Sequence, residues 1–409
     1  MAGDELSRLV MRLPATLSSL IILLSASVPL AAAGPSLTQD SQCGCYLTNG
    51  TDPSFFSKHM FLDFRNLSQY AGVPATITDW DENAAASPSS QYFSSTEWSN
   101  TWLTGSWNNS GRERSDASTD MVNSPNNVYI EANSDKNPSS QTWLTLRTQR
   151  LAAFQTAAEI ESVSMGFQFL SMRMLARTVG ASGAITAMFT YRGGKNLADV
   201  QESDLEVRTL DSKNLIHYTN QPSYTADGNT VDQATKNATM PDGLQWTDWA
   251  VHRLDWTPTK SVWFVNEQEV AEISFQTPRD GCKVILNAWS DGGQWTGNMS
   301  VNASAYLQVQ WLDLIYNSTA EPPPPSSAKR DGDTASPLFG RDQAAAACNA
   351  VCSIDETPTQ GQPVMLWNNE GPRSSNASAT TSSSRGSLAA WIPSVLISTM
   401  VLLSTSLVL

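Results

Sequence analysis

Three carboxylic acids alternate along one short segment of the chain. Glu202, Asp204 and Glu206 stand in the sequence QESDLEV, and alternate side chains of a β-strand point to the same face of the sheet. Like charges in such a row repel, and Glu and Asp are weak strand formers, so the row is a poor choice for structure alone. One interpretation is an edge strand that uses charge to prevent aggregation. The other is an active site.

Paired carboxylates are the groups that cleave glycosidic bonds. A retaining glycosidase needs an ionised carboxylate as nucleophile and a protonated carboxyl as acid, about 5–5.5 Å apart. Four residues of strand separate Glu202 from Glu206 by about 13 Å, so each side chain must lean about 4 Å towards the other. Asp204 lies between them, where a hydrogen bond to one partner would hold the two pKa values apart.

Composition argues against several other functions. The 409 residues include 25 Lys+Arg and 39 Asp+Glu, a formal net charge of −14, which argues against a nucleic-acid partner. The 3 histidines lie far apart, so no His-rich zinc site is expected. The sequence shows neither a phosphate-binding loop nor a serine-hydrolase elbow. No cofactor is predicted, and a structural calcium ion is left open.

The elements that must position these carboxylates are predicted to be strands. Short alternating segments rich in Val, Ile, Phe, Tyr and Trp follow one another over residues 128–316, a pattern typical of an antiparallel sandwich or barrel. Residues 82–126 indicate a long surface loop. Four prolines from Pro322 end the sheet. Residues 326–387 are rich in Ser, Thr and Pro and predict a disordered stalk, in which 341–353 could form a helical turn.

Both ends of the chain resemble processing signals. An apolar run over 15–30, behind two arginines and before three alanines, predicts a signal peptide. A second apolar run, behind a Ser/Thr-rich spacer, predicts a GPI-anchor signal with attachment at Asn376 or at a serine just before it. An uncleaved signal anchor and a C-terminal transmembrane helix are the alternatives. The predicted parts are signal peptide 1–33, folded domain 34–320, stalk 321–376 and anchor signal 377–409.

Glycosylation sites and cysteines support secretion. Besides Asn376, N-x-S/T sites occur at Asn49, Asn66, Asn108, Asn237, Asn298, Asn302 and Asn317. The 5 cysteines suit an oxidising compartment. Because five is odd, one thiol is free, capped or intermolecular. The sequence does not determine the pairing among Cys43, Cys45, Cys282, Cys348 and Cys352.

Several segments resemble glycoside hydrolase family 16. The carboxylate segment ESDLE is similar to the E-x-D-x-E active-site strand of that family, in the form without an additional bulge residue. GAITAMF (183–189) resembles the strand before it, HRLDWTP with VWFVN (252–266) a later segment, and NAW with QWTG (287–297) the segment lining the cleft. The resemblance covers 125–317 well and 43–125 loosely. Ser203 replaces the motif's usual apolar residue, which concerns packing rather than chemistry.

The resemblance implies an all-β, antiparallel jelly-roll sandwich of the concanavalin A-like kind, with the site on its concave sheet. By position, Glu202 resembles the nucleophile, Asp204 the assisting carboxylate and Glu206 the general acid/base. The candidate substrate-binding residues are Trp289, Trp295, Tyr191, Tyr218, Gln221 and Arg208. Core packing is the alternative for the aromatic residues, and Arg208 either tunes the acid or pairs with it.

The sequence therefore predicts a retaining glycosidase that acts on a β-glucan-type cell-wall polysaccharide, like an endo-β-1,3(4)-glucanase. Whether water or another sugar accepts the glycosyl group is left open. The expected protein is a monomer at the cell surface, held to the membrane or cell wall by a GPI lipid. A catalytically silent, lectin-like protein of the same fold is the first alternative, and a structural wall mannoprotein is the second.

Overall fold

A computed structural model describes residues 36–50, 52–80, 86–109, 116–319 and 348–368, all within one compact unit. The predicted signal peptide, the four prolines, Asn376 and the predicted anchor signal lie outside these residues. Within the described ranges, no helix has the length and apolar character needed to cross a membrane.

Nearly all regular structure is β. In chain order the strands are β1 Ser36–Leu37, β2 Cys45–Leu47, β3 Phe55–Phe56, β4 Lys58–Asp63, β5 Trp102–Thr104, β6 Trp107–Asn109, β7 Met121–Asn123, β8 Val128–Ala132, β9 Thr142–Arg150, β10 Gln155–Ser162, β11 Phe167–Gly180, β12 Ile185–Arg192, β13 Gln201–Arg208, β14 Leu215–Gln221, β15 Thr235–Thr239, β16 Ala250–Trp256, β17 Ser261–Val265, β18 Gln268–Ile273, β19 Lys283–Trp289, β20 Ser304–Ser318, β21 Ala350–Ser353 and β22 Val364–Asn368. A short helix, α1, covers Thr96–Ser99. The 3₁₀ helices include Asp40–Gln42, Ser68–Tyr70, Pro125–Asn127, Leu197–Asp199, Asp232–Ala234 and Pro241–Gly243.

Two sheets form a sandwich. The front sheet has the order β5-β10-β19-β12-β13-β14-β15. The back sheet has the order β18-β17-β16-β11-β20, and the far edge of β20 pairs with β4 and then with β9, beyond which lies β8. The start of β10 pairs with β7 and β9, and its remainder pairs with β19 and β5, so this strand passes from one sheet to the other. The predicted antiparallel β-sandwich is confirmed.

A single large apolar cluster fills the space between the sheets. Strand β13 contributes Leu205 and Val207, β11 contributes Met172 and Met174, and β17 contributes Trp263, all buried. The alternation read from the sequence thus places apolar side chains of β11 and β13 inwards.

Residues 82–126 are not the featureless loop that we expected. They contain α1, β5, β6 and β7. Trp98 and Trp102 are buried there with their rings stacked 6.2 Å apart. The apolar area of these rings explains why the segment packs on the sandwich despite its lack of a regular pattern.

A third sheet lies against the back sheet. It contains residues beyond 320, where the sequence analysis ended the folded domain, so that predicted end is wrong. This end sheet has the order β1-β22-β21-β2-β3, so residues 348–368, assigned to the stalk, return to pair with the N-terminal segment. Residues 350–353 form a strand, not a helical turn. Tyr46, Phe56 and Cys352 of the end sheet pack on Ile315 of β20. Burial of these side chains holds the returning segment in place.

Two disulfides join the two ends of the described chain. Cys43 bonds to Cys352 and Cys45 bonds to Cys348. Cys282 is the free thiol among the five cysteines and is fully buried. Burial raises the pKa of Cys282 to about 12, so this thiol is unreactive in the folded protein.

Ion pairs also connect the end sheet to the outer face of the back sheet. Buried Asp355 pairs with Arg173 and lies 3.5 Å from Arg253. His59 lies between two carboxylates, 2.7 Å from Asp40 and 2.8 Å from Asp313. Burial opposes protonation of His59, but its hydrogen bonds to these carboxylates and their charges prevail and raise the pKa of His59 to about 9.

Candidate active site

Strand β13 lies inside the front sheet, between β12 and β14. Glu202, Asp204 and Glu206 point away from the core, as the alternation predicts. Ser203 points inwards, where its hydroxyl lies 2.6 Å from Oδ1 of Asn220. Because β13 is not an edge strand, the row of acids cannot serve to protect an edge.

The three carboxyl groups are close enough to affect one another. Asp204 is buried, and neither of its oxygens accepts a hydrogen bond of good geometry from a described residue. Burial raises the pKa of Asp204 well above its usual range, and the charges of Glu202 and Glu206 add to the rise. Burial also raises the pKa of Glu202, while hydrogen bonding by neighbouring Asp204 opposes the rise and the charge of Glu206 increases it. The group therefore keeps at least one proton near neutral pH.

An aromatic and charged cluster surrounds the end of the row at Glu206. The indole N–H of Trp295 donates to Oε1 of Glu206 at 3.3 Å. The guanidinium of Arg208 lies 4.4 Å from the centre of the Trp295 ring, and its Nε donates to the Trp295 carbonyl at 2.9 Å. The imidazole of His217 meets the same ring nearly perpendicularly at 5.1 Å and lies 2.6 Å from Oδ2 of Asp211.

The other end of the row, at Glu202, is flanked by Tyr191 on β12 and Gln221 on β14, both directly across the strand pairs. The Oε1 atom of Gln221 accepts a hydrogen bond from the backbone N–H of Ser223 at 2.8 Å. Gln221 also lines a cavity of about 370 Å³ beside this end of the strand. Both residues thus lie directly across from the candidate nucleophile.

The predicted platform Tyr218 is corrected by the structure. It is 1% exposed and packs in the core, 5.4 Å from the ring of Trp263. The reason is the alternation along β14, because Tyr218 pairs with inward-facing Leu205. Trp289, by contrast, is half-buried and packs with the outward-facing cluster of Ile185, Ala187, Phe189 and Ile285.

The sequence analysis did not select several polar residues of the same face. His217 lies directly across from Glu206, and a search for groups in register with the acids on the next strand would have found it. On β10, Glu159 accepts from the indole N–H of exposed Trp107 at 3.1 Å. Burial raises the pKa of Glu159. Glu159 lies directly across from Asn287 on β19. The polar face therefore extends from β13 over β12 and β19 to β10.

Most of the predicted glycosylation sites are exposed: Asn49, Asn66, Asn108, Asn237, Asn298 and Asn302. Asn317 is half-buried, and its Nδ2, the atom that would carry a glycan, donates to the carbonyl of Phe55 at 3.2 Å. Among the described residues, no group of three or more His, Cys, Asp and Glu side chains could hold a metal ion.

Comparison with known proteins identifies a family match. The family model "Glycosyl hydrolases family 16" matches residues 115–312, and no curated protein matches the chain. The β-glucanase of Bacillus licheniformis is similar, with 18% identity, 53% of this chain and 92% of that chain covered, and a TM-score of 0.40. LamAcat from Zobellia galactanivorans has 16% identity, coverages of 53% and 91%, and a TM-score of 0.41. An endo-1,3-β-glucanase of Thermotoga petrophila has 15% identity, coverages of 53% and 90%, and a TM-score of 0.41.

Proposed function

We propose that the chain, whose residues 115–312 match the family model of glycosyl hydrolases family 16, is a retaining enzyme acting on β-glucan-type polysaccharide. The observation that supports this most is the outward row on β13, where Glu202, Asp204 and Glu206 share one face and the raised pKa values of Glu202 and Asp204 keep a proton in the row. A retaining glycosidase needs one ionised and one protonated carboxyl on the same face.

In the proposed mechanism Glu202 attacks the anomeric carbon while Glu206 donates its proton to the departing oxygen. The bond to the leaving sugar breaks and a covalent bond from Glu202 to the retained sugar forms. Glu206, now ionised, removes a proton from the incoming hydroxyl, which displaces Glu202. Asp204, whose raised pKa keeps it protonated, donates a hydrogen bond to Glu202 and so favours the ionised form of the nucleophile.

The charge of the front face favours a neutral glycan. Besides the row on β13 it carries Glu159 and Glu161 on β10, and Lys283, which pairs with Glu161 at 2.8 Å, offsets only one of these carboxylates. An anionic polysaccharide would be repelled by this face. Either water or a sugar hydroxyl accepts the glycosyl group in this proposal, so the same site serves hydrolysis and transglycosylation.

We place the protein at the cell surface, secreted through the N-terminal signal and attached through a GPI lipid. The two disulfides and the exposed N-x-S/T sites support passage through an oxidising secretory compartment.

The test is incubation of residues 34–369, which contain every described element, with laminarin, lichenan and chitin oligosaccharides, followed by mass spectrometry. We expect shorter products for hydrolysis and products longer than the donor for transfer. Glu202→Gln should lower either rate about a thousandfold or more, while Glu269→Gln, the same change at an exposed site on β18, should not. Binding without any product would favour the lectin-like alternative, and absence of binding would favour the structural wall protein.

A further inference from the structure

We infer that Trp295 positions the acid/base Glu206 instead of stacking on a sugar, and that Asp211 holds Trp295 in place through His217 and Arg208. The inference rests on the proposed function, because it assigns roles around the same carboxyl. It replaces the sugar-platform role that the sequence suggested for Trp295.

The surroundings of Trp295 leave little of its ring for a sugar. Its ring carries the guanidinium of Arg208 at 4.4 Å and contacts the imidazole of His217 at 5.1 Å. The side chain also packs against the apolar cluster that includes Ile185 and Ala187. A platform residue needs one open face, whereas this ring is held by charged and apolar groups together.

The indole N–H of Trp295 is directed at the carboxyl group of the acid/base residue. Its N–H donates to Oε1 of Glu206 at 3.3 Å. Because a carboxyl oxygen that accepts this bond is a poor site for the acidic proton, the proton of Glu206 resides on Oε2. After the proton has moved to the leaving oxygen, the same N–H stabilises the carboxylate that remains. Trp295 therefore acts on both proton transfers and not on sugar binding.

Asp211 links the two groups that hold the indole. Its Oδ2 lies 2.6 Å from Nε2 of His217 and 3.6 Å from Nη1 of Arg208. Arg208 in turn donates to the Trp295 carbonyl at 2.9 Å. Asp211 follows β13 by three residues and His217 lies across from Glu206, so both residues are anchored beside the acid by the strands themselves.

The experiment compares two donors of the same sugar in the full chain. One is an oligosaccharide, whose leaving group needs a proton, and the other is a 2,4-dinitrophenyl glycoside, whose leaving group departs without one. We expect Trp295→Phe to lower kcat/KM on the oligosaccharide about tenfold, as for one hydrogen bond to a charged group, and to leave kcat/KM for dinitrophenol release unchanged. Trp289→Phe alters a neighbouring Trp of the same face and is the control: it should change kcat/KM by the same factor for both donors.

If Trp295→Phe lowered kcat/KM equally for both donors, the inference would be overturned, and Trp295 would be a sugar platform or a merely structural residue. Asp211→Ala should show the same selective loss, and Asp211→Asn, which still accepts a hydrogen bond from His217, should recover most of it. If Asp211→Ala lost no kcat/KM selectively on the oligosaccharide, Asp211 and His217 would have no part in positioning Trp295. Failure of the proposed function looks different, because the unaltered chain would then release product from neither donor, or Glu202→Gln would remain active.

Discussion

On the front face of β13, no cation among the described residues counters the burial of Glu202 and Asp204, and the pKa values of both acids rise. On the outer face of the back sheet, buried Arg173 meets Asp355 and buried Arg253 meets Asp255. Both faces remove charge from water, but only the second provides a partner of opposite sign. Unpaired buried acids lower the free energy of unfolding and are retained where chemistry uses them, whereas paired charges under a docked sheet hold that sheet in one position.

The largest expected effect concerns the disulfides that close the end sheet. Cys43–Cys352 and Cys45–Cys348 are nested, with sequence separations of 309 and 303. Either one alone therefore closes nearly the same long loop. We expect loss of both to lower the free energy of unfolding by about 5 kcal/mol, while Cys43→Ala with Cys352→Ala costs far less.

Denaturant unfolding of the single-pair and double-pair variants measures this difference. Equal losses from removing one pair and both would contradict the nested-loop argument. Activity per folded molecule should stay unchanged in each variant, because the end sheet lies on the face opposite the carboxylate row.

The same chemical change on the two faces should have opposite results. Asp355→Asn leaves buried Arg173 without its carboxylate, whereas Arg253 keeps Asp255, and the change should cost about 3 kcal/mol of unfolding free energy, with activity per folded molecule retained. Asp204→Asn removes an unpaired acid, so it should leave the unfolding free energy unchanged or raise it by about 1 kcal/mol, with activity lost.

Thermal unfolding at pH 7 and assays on the folded fraction check this pair. A destabilised Asp204→Asn variant would show that Asp204 is a structural residue. An Asp355→Asn variant of unaltered stability would show that the ion pairs under the end sheet contribute nothing.

Both faces should lose stability as the pH rises, but over different ranges. The pKa of His59 is about 9, above its ordinary value of 6.5, so its contribution is complete below pH 6.5 and is lost as the pH rises through 9. The pKa of Glu202 is raised from an ordinary value of 4.5, so folding is penalised progressively once the pH exceeds 4.5. The measurement is the free energy of unfolding as a function of pH. His59→Gln should remove the pH dependence between pH 6.5 and 9, and Glu202→Gln should reduce the pH dependence that begins above pH 4.5. A profile unchanged in both variants would contradict these assignments.

The sequence predicted the strands and the row of acids because both depend on short-range alternation. Glu202, Asp204 and Glu206 share a face for the same reason that Leu205 is buried. The prediction was wrong where contacts between distant segments determine the structure. Residues 348–368 have the composition of a stalk, and their pairing with β2 is held by disulfides that span 303 and 309 residues of chain. Tyr218 was misplaced because its face depends on the register with β13, and register is not encoded in one strand alone.

The smallest expected effect contrasts one glycosylation site from each region. Asn237, on edge strand β15, lies directly across from His217, about 10 Å and two strands from Glu206. Asn49 lies beside the end sheet, and its Oδ1 accepts from Arg253 at 2.8 Å. We expect peptide mapping to find glycans on both. Asn237→Gln should then raise kcat/KM on long polysaccharide roughly twofold, about 0.4 kcal/mol, and leave short oligosaccharides unaffected, because a glycan there crowds only a chain that extends past β15. Asn49→Gln should leave both substrates unaffected and lower the melting temperature slightly. An equal response of long and short substrates to Asn237→Gln would mean that the front face does not continue to its β15 edge as a binding surface.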